Sequence, residues 1–358
     1  RSTPLYSSAA SDVYKRQLLT SPPGRVRPKT TAKVGKDLSA LILGPVANDL
    51  RGKRLLIVGD GILQYIPFTT LPELNITPGA NTSQPGEFAP HMQPLLVDHE
   101  VINLISASAM VEQRQKQKTR PTPDLELAIF ADPVFSFDDP RAKPLAPAAN
   151  PIAKNLPKLL QNIEPIYTPL PGSQEELKQI SEFMPPNRRS EFLGFAANYE
   201  TAISKLKPHR IVHFASHGFF NVRSPERSGV VLSAIRPDGS IQRSTITPAD
   251  TLDMDLSATD LVVLSGCRTA LSGKLIREGL TGLTGGLMSA GAERVVASLW
   301  SVSDEATQKL MTAFYRNIYQ EKLSPAQALR SAQLALWQDQ RWQTPYNWAA
   351  FAAFGEWK

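Results

Sequence analysis

A cysteine and a histidine are the residues of this sequence whose types and positions favour nucleophilic chemistry. Cys267 is the only cysteine among 358 residues, and it follows the apolar run LVVL through the bend Ser265-Gly266. His217 ends the run RIVHFASH and precedes a glycine. A thiol is nucleophilic as its thiolate, which a neighbouring imidazole makes accessible near neutral pH. The two positions therefore predict a Cys267–His217 pair.

Attack on a peptide carbonyl also requires hydrogen-bond donors for the oxyanion. The backbone N–H groups of Cys267 and Gly218 are the natural pair, because glycine lets the backbone approach a ligand closely. A structural role stays open for each residue, since a lone cysteine also packs as a small buried hydrophobe. What favours chemistry is that both residues lie at the carboxyl end of a predicted strand.

The elements that must position this pair are predicted as alternating strands and helices. Strands are predicted at 125–130, 192–193, 210–217, 261–264 and 294–300, and helices from 173 onward, at 198–206, 278–290 and 304–319, and from 324 onward. The first helix is predicted to begin with a capping box made by Ser173 and Glu176. Such an order implies a parallel sheet with right-handed crossovers, and ligands collect at the carboxyl ends of its strands. Asp238-Gly239 predicts an inserted β-hairpin between the histidine and cysteine strands.

Composition narrows the class of protein. A hydrophobic content of 42% is ordinary for a folded chain, and 358 residues suffice for two domains or one large one. A single cysteine excludes an intrachain disulfide, which favours a cytoplasmic location. No apolar run approaches the roughly 18 residues of a membrane span. The formal charge is +6, and the sequence contains no dense run of basic residues. Neither a membrane nor a nucleic acid is therefore expected as a partner.

No cofactor or metal is expected either. His209 and His213 are four residues apart, but they lie in a predicted strand and no further cysteine or histidine completes a ligand set. The Gly59-Asp60-Gly61 turn lacks the glycine pattern and the lysine of a phosphate-binding loop. A nucleotide-binding α/β domain is therefore the weakest of the functional readings.

Four segments are predicted along the chain. Residues 1–17 are interpreted as the in-frame translation of a sequencing adaptor, DVYKRQ being the recognisable part. This segment carries three basic residues and one acidic residue, so the remainder has a formal charge of +4. Residues 18–36, rich in Pro, Thr, Lys and Arg, are predicted to be a linker from a region upstream. A smaller unit over 37–123 and a catalytic unit over 124–358 follow.

Several motifs together resemble one family. The stretches HFASHG, LVVLSGCRTA, EGLTGL, GAERVVASLW and PYNWAAFAAFGEW are similar to those of the CHAT domain, as are RLLIVGDGILQYIPF, ADPVF and LPGSQEEL. The CHAT domain is a caspase-like cysteine peptidase domain that is related to separase and often joined to tetratricopeptide repeats. The resemblance covers the chain from about residue 38 onward. Gly266 departs from the pattern, because the family usually has alanine before the cysteine.

The resemblance implies a fold and an activity. The fold would be a caspase-like three-layer α/β/α arrangement with a mostly parallel central sheet, preceded by a smaller pseudo-peptidase α/β subdomain. His217 would be the general base and Cys267 the nucleophile of a cysteine endopeptidase that cleaves a protein or peptide substrate. A regulatory partner would act through repeats upstream of the chain. The alternative is a catalytically silent scaffold for protein interaction or signalling.

The resemblance also suggests a substrate pocket. In caspase-like folds the loops after the first and fifth strands of the catalytic sheet build the first specificity pocket, which here means Asp132 and the segment from Trp300 to Asp304. If the two carboxylates meet, a Lys or Arg side chain of the substrate is the expected ligand. Structural roles stay open, because Asp304 and Glu305 suit the first turn of a helix and Asp132 suits an Asp-Pro turn.

Overall fold

The computed structural model describes residues 28–59, 63–64, 66–74, 93–117, 119–145, 167–219, 225–266, 279–300 and 303–357. Its strands are β1 (Leu55–Ile57), β2 (Val101–Asn103), β3 (Leu125–Ala131), β4 (Arg189–Leu193), β5 (His209–Ala215), β6 (Gly218–Phe219), β7 (Gly229–Val231), β8 (Thr245–Ile246), β9 (Leu261–Leu264), β10 (Arg294–Ser298) and β11 (Phe351–Gly355). Its α-helices are α1 (Pro28–Leu43), α2 (Leu95–Asp98), α3 (Ala107–Gln117), α4 (Pro171–Ser181), α5 (Tyr199–Ser204), α6 (Gly279–Ser289), α7 (Asp304–Tyr319), α8 (Pro325–Gln338) and α9 (Pro345–Trp348).

Eight of these strands form one sheet in the order β1-β2-β11-β10-β9-β5-β3-β4. Every neighbouring pair is parallel except β10 and β11, which are antiparallel. The helices flank this sheet, with α4 packed on α7 and α7 packed on α8. The predicted fold class, an α/β arrangement around a mostly parallel central sheet, is confirmed.

The central strands are buried because their sequences are largely apolar. All residues of β9 are buried, as are the last five of β3 and all but one of β5. A strand covered by helices on both faces needs such a continuous apolar run rather than an alternating one. The same covering leaves the carboxyl ends of β5, β9 and β10 as the open edge where polar residues gather.

The strands of the 37–123 segment extend the main sheet rather than forming a second one. β2 pairs with β11 through Asn103 and Phe354, and β1 pairs with β2. The segment nevertheless has a hydrophobic cluster of its own, which includes Leu38, Leu55 and Phe68. One sheet therefore runs through both units.

The prediction of a linker over 18–36 is wrong from Pro28 onward. Helix α1 begins there, because its apolar residues recur at helical spacing and Ala32, Leu38 and Leu43 are buried. Packing on the hydrophobic cluster of the 37–123 segment thus outweighs the polar composition of residues 28–36.

Two local predictions also differ from the structure. Helix α4 begins at Pro171, and Ser173 is not its cap, because its hydroxyl donates to the Leu170 carbonyl and accepts the Asp132 N–H. The inserted hairpin is a three-stranded antiparallel sheet, β6-β7-β8. Its predicted turn is present, with Gly239 at a positive φ of 79°, but only an isolated bridge flanks it. In the described part of the chain, no helix is both long and apolar enough for a membrane span.

Candidate functional site

A cavity of about 300 Å³ lies at the carboxyl ends of β5, β9 and β10. Its walls also include the first turns of α4 and α7, which approach one another across it. The lining residues come from these five elements and the segments next to them: Thr168, Pro169, Leu170, Gly172, Ser173, Glu176, Ala215, Ser216, His217, Ser265, Gly266, Ser298, Asp304 and Thr307. The volume is at the lower end of the range for ligand pockets, roughly 300–1,000 Å³.

His217 is held in one orientation in the wall of this cavity. Its Nε2 lies 2.7 Å from the Thr168 carbonyl oxygen, and its ring packs in tilted contacts against Phe135 and Tyr167 at centroid distances of 5.0 and 5.3 Å. A carbonyl oxygen only accepts, so Nε2 carries a proton. In the neutral imidazole, Nδ1 is then the nitrogen that can take up a proton.

The segment before the predicted nucleophile lies directly beside His217. The Gly218 N–H donates to the Gly266 carbonyl at 3.0 Å, which joins the two strand ends. A β-carbon at position 266 would lie 1.9 Å from the Ser216 carbonyl oxygen, so the approach requires glycine there. In this conformation the Gly218 N–H is engaged by Gly266, and it can donate to an oxyanion only after that bond breaks.

Cys267, predicted as nucleophile and oxyanion donor, lies outside the described residues. Its neighbour Gly266 lines the cavity, and β9 ends at Leu264, three residues before the cysteine. The pairing of β5 with β9 places Phe214 opposite Leu264. The roles of Cys267 and its geometry with His217 therefore stay predictions.

Asp132 does not provide a carboxylate to the cavity. It follows β3 with a positive φ of 50°, and its carboxylate forms an ion pair with Arg141 at 2.6 Å. Arg141 also binds Asp139, so the two carboxylates share one guanidinium. Burial raises the pKa of Asp132, and the hydrogen bonds from Arg141 oppose that rise. These contacts agree with the alternative prediction for Asp132, a structural role in a local turn.

The segment after β10 contributes one predicted pocket residue but not the other. Trp300 is buried in the core, where its indole N–H donates to the Tyr346 carbonyl at 3.0 Å, so its prediction as a pocket residue is wrong. Asp304 does line the cavity and is exposed. It is also the first residue of α7, whose cap is the Ser303 hydroxyl that accepts the Ala306 N–H.

Glu176 is a cavity residue that the sequence reasoning missed. It is 4% exposed, and its Oε1 lies 3.1 Å from Nε2 of His213 in the sheet beneath the cavity. His213 Nε2 also lies 3.0 Å from the Ser265 hydroxyl. A signal was present, because Glu176 lies four residues before the buried Ile180 and adjoins the buried Leu177, so helical periodicity places it on the buried face.

These observations define a class of protein. The chain is an α/β protein whose cavity lies at the carboxyl edge of a mostly parallel sheet, with a buried histidine and two carboxylates in its walls. The family model described as CHAT domain matches residues 32–356. The chain belongs to the CHAT domain family.

Two relatives of this chain are longer proteins. The chain is 25% identical over 341 residues to tetratricopeptide repeat protein 28 of Mus musculus, with 87% of this chain and 12% of that protein covered. It is 27% identical over 219 residues to tetratricopeptide repeat protein 28 of Homo sapiens, with 53% and 9% covered. The chain thus spans about a tenth of the length of these relatives.

Two solved structures are similar in fold. The separase of the Saccharomyces cerevisiae separase–securin complex matches with a TM-score of 0.45 and 12% identity, over 85% of this chain and 15% of that one. The Arg-specific cysteine proteinase gingipain R matches with a TM-score of 0.49 and 11% identity, over 98% and 75%.

Proposed function

We propose that this chain is a cysteine endopeptidase that acts through Cys267 and His217. The observation that carries the proposal is the orientation of His217, whose Nε2–H is bound to the Thr168 carbonyl while its ring lines the cavity next to Gly266. A base needs a defined proton position and a neighbouring nucleophile. Cys267 is the residue that follows Gly266.

The reaction would proceed in two steps. Nδ1 of His217 takes the thiol proton, Sγ of Cys267 bonds to the scissile carbonyl carbon, and the backbone N–H of Cys267 donates to the oxyanion. The carbon–nitrogen bond breaks as His217 returns the proton to the amine. Water then hydrolyses the thioester and restores the thiol. The Gly218 N–H joins the oxyanion donors once it leaves the Gly266 carbonyl.

The catalytically silent scaffold is the second candidate, and one contact favours it. The Gly218 N–H is bound to Gly266 at 3.0 Å in the described conformation, where it does not serve an oxyanion. A scaffold could retain this arrangement permanently. In the endopeptidase, by contrast, substrate or a regulatory partner acting through upstream repeats would have to break the bond.

A cleavage profile separates the two candidates. Wild-type chain and its Cys267→Ala variant are incubated with a peptide library, and cleaved bonds are identified by mass spectrometry. In parallel, a broad electrophilic peptide probe is tested for labelling of Cys267. We expect cleavage and labelling by the wild type and neither by the variant. Cleavage that persists in Cys267→Ala, or a wild type that neither cleaves nor becomes labelled, contradicts the endopeptidase.

A further inference from the structure

A second histidine of β5, His213, is buried beneath the cavity and has no part in the proposed reaction. It is 0% exposed, and in the sheet it lies between Ile129 of β3 and Val263 of β9. Its Nδ1 lies 2.9 Å from the Tyr315 hydroxyl, and its Nε2 lies 3.0 Å from the Ser265 hydroxyl. A polar ring in such a core costs free energy unless its nitrogens are hydrogen-bonded. These two contacts therefore decide how His213 is protonated.

Tyr315 determines which nitrogen of His213 carries the proton. The Tyr315 side chain is fully buried, and its hydroxyl forms no other hydrogen bond with a described residue. Burial raises the pKa of Tyr315 well above its usual range, so the phenol keeps its proton and donates it to Nδ1 of His213. The imidazole is then neutral, with its own proton on Nε2. Oε1 of Glu176, which lies 3.1 Å from Nε2, agrees with this placement because a carboxylate oxygen accepts.

Ser265 is the residue at which the chain leaves β9, and it is bound on two sides. Its N–H donates to the Phe214 carbonyl at 3.0 Å, and its hydroxyl accepts the Nε2–H of His213. The carbonyl of the next residue, Gly266, accepts the Gly218 N–H at 3.0 Å. The orientation of Ser265 therefore sets the direction of the Gly266 carbonyl, because only the two soft dihedrals of each residue lie between them.

We propose that His213 is a positioning residue, which holds the Ser265–Gly266 bend through the hydrogen bond from its Nε2–H to the Ser265 hydroxyl. The bend sets both the bond between the Gly266 carbonyl and the Gly218 N–H and the start of the chain that continues to Cys267. The effect on cleavage rests on the proposed endopeptidase function, whereas the effect on the Gly218 N–H does not. If His213 only filled the core, substitutions that keep or lose the bond to Ser265 would act alike.

Two amide side chains separate the two nitrogens of His213. His213→Gln brings an amide nitrogen near the position of Nε2 and can still donate to Ser265, whereas His213→Asn reaches only the position of Nδ1. Hydrogen exchange at the Gly218 amide is measured relative to the amides of β3, which report global unfolding. Exchange should be roughly five- to tenfold faster in His213→Asn and in Ser265→Ala, the value of one hydrogen bond, and within about twofold of the wild type in His213→Gln. Equal rates in the two His213 variants, or an unchanged rate in Ser265→Ala, overturn the assignment.

His209 provides the matched control, because it lies in the same strand and is 2% exposed. Its ring nitrogens contact the Leu206 carbonyl and the Ser190 hydroxyl at the opposite end of β5. His209→Asn should therefore lower the free energy of unfolding without changing exchange at Gly218 relative to β3. If Gly218 responds to His209→Asn as it does to His213→Asn, the loss of any buried histidine explains the result and the assignment fails.

The protonation of His213 has a spectroscopic signature of its own. Nitrogen NMR of histidine-labelled chain at neutral pH should show a protonated Nε2 and an unprotonated Nδ1 for His213, whose signals are assigned by their absence in His213→Gln. Tyr315→Phe removes the donor to Nδ1 and should shift the Nδ1 signal. A proton on Nδ1 in the wild type overturns the assignment, because Nε2 would then not donate to Ser265.

A cleavage measurement separates this inference from the function on which it rests. His213→Asn and Ser265→Ala should lower kcat by roughly 10- to 100-fold with KM nearly unchanged, since a misplacement of about 1 Å costs up to about 10²-fold in rate. His213→Gln should retain most of the wild-type kcat. An active chain whose kcat is unchanged in Ser265→Ala overturns the positioning assignment and leaves the endopeptidase in place. The expected exchange at Gly218 in a chain that neither cleaves nor becomes labelled at Cys267 overturns the endopeptidase and leaves the positioning assignment in place.

Discussion

The amino end of the central sheet and the cavity at its carboxyl end differ in how their charged side chains are paired. At the amino ends of β3, β5, β9 and β10, Glu126 pairs with Arg210, and Arg120 lies 3.3 Å from Glu293 and 3.7 Å from Asp260. At the carboxyl ends, the carboxylates of the cavity have no lysine or arginine among the described lining residues. Charges that are paired within the chain stabilise it, whereas charges left facing a cavity are available to a ligand. The contrast predicts different consequences for substitutions at the two ends.

The largest effect on activity is expected at the carboxyl end, from His217→Ala. Removing the base should lower kcat by about 10²–10⁴-fold, the usual contribution of general acid–base catalysis. The measurement is steady-state cleavage of a peptide that the wild type cuts, accompanied by thermal unfolding to verify the fold. A folded variant that retains most of its kcat would remove His217 from the mechanism.

The largest effect on stability is expected at the amino end, from Arg120→Met. This side chain is 15% exposed and stands between Asp260 and Glu293, each of which would lose one partner and keep another, Arg210 and Arg294 respectively. The free energy of unfolding should fall by about 3 kcal/mol, because the hydrogen bond from Arg120 to the Gly291 carbonyl is lost together with these two contacts. Denaturant titration measures the fall, and the cleavage preference of any active variant should be unchanged.

A surface pair provides the control for that substitution. Arg341 pairs with Glu305, and both side chains are more than half exposed. Arg341→Met should therefore change the free energy of unfolding by less than about 1 kcal/mol. Equal losses of unfolding free energy in the Arg120 and Arg341 variants would show that the ion pairs at the amino end contribute no more to stability than an exposed pair.

A smaller loss of stability is expected at the carboxyl end from Gly266→Ala. The new β-carbon would lie 1.9 Å from the Ser216 carbonyl oxygen, so the backbone must shift, at a cost of about 1–3 kcal/mol. The bond between the Gly218 N–H and the Gly266 carbonyl should weaken, which hydrogen exchange at Gly218 would detect. Gly44→Ala is the matched control, because nothing lies within 4 Å of a β-carbon there. Unaltered exchange at Gly218 would mean that the strand ends tolerate the methyl group.

The smallest effect concerns pH and the amino-end pair of Asp255 and Lys207. Hydrogen bonds from Lys207 and Ser257 lower the pKa of Asp255 from 3.8 to about 2. Because the folded pKa is below the unfolded one, the contribution of the pair is fully present above pH 4 and is lost as the pH falls toward 2. Asp255→Asn should flatten the acid limb of the stability curve slightly, since the pair is exposed and screened by salt. Identical curves for variant and wild type would assign the acid limb to other groups.

Much of the fold could be predicted from the sequence because burial leaves a local record. The runs LELAIFA, RIVHFA and LVVL are largely apolar without a regular alternation of polar residues, as strands covered on both faces require. Helices α4 and α5 lie along the chain between the first two of these strands, whereas the sheet β6-β7-β8 lies between the second and the third. Their parallel pairing brings His217 and Gly266 to one edge of the sheet. Glu176 and Asp132 were assigned less well. Glu176 suits a helix cap, and that assignment concealed its place in the cavity. Asp132 suits both a turn and a pocket, and the sequence does not distinguish the two.

By itself, the sequence determined the family, the parallel sheet and the edge at which a histidine and a cysteine follow their strands, because these depend on patterns along the chain. Only the tertiary structure decided which carboxylates reach the cavity. The carboxylate of Asp132 is paired with Arg141. The packing of α4 against α7, by contrast, brings Glu176 and Asp304 to the same cavity. It also decided that the Thr168 carbonyl orients His217 and that Gly266 binds the Gly218 N–H. These contacts join backbone atoms and distant helices, which leave no periodic signal in the sequence.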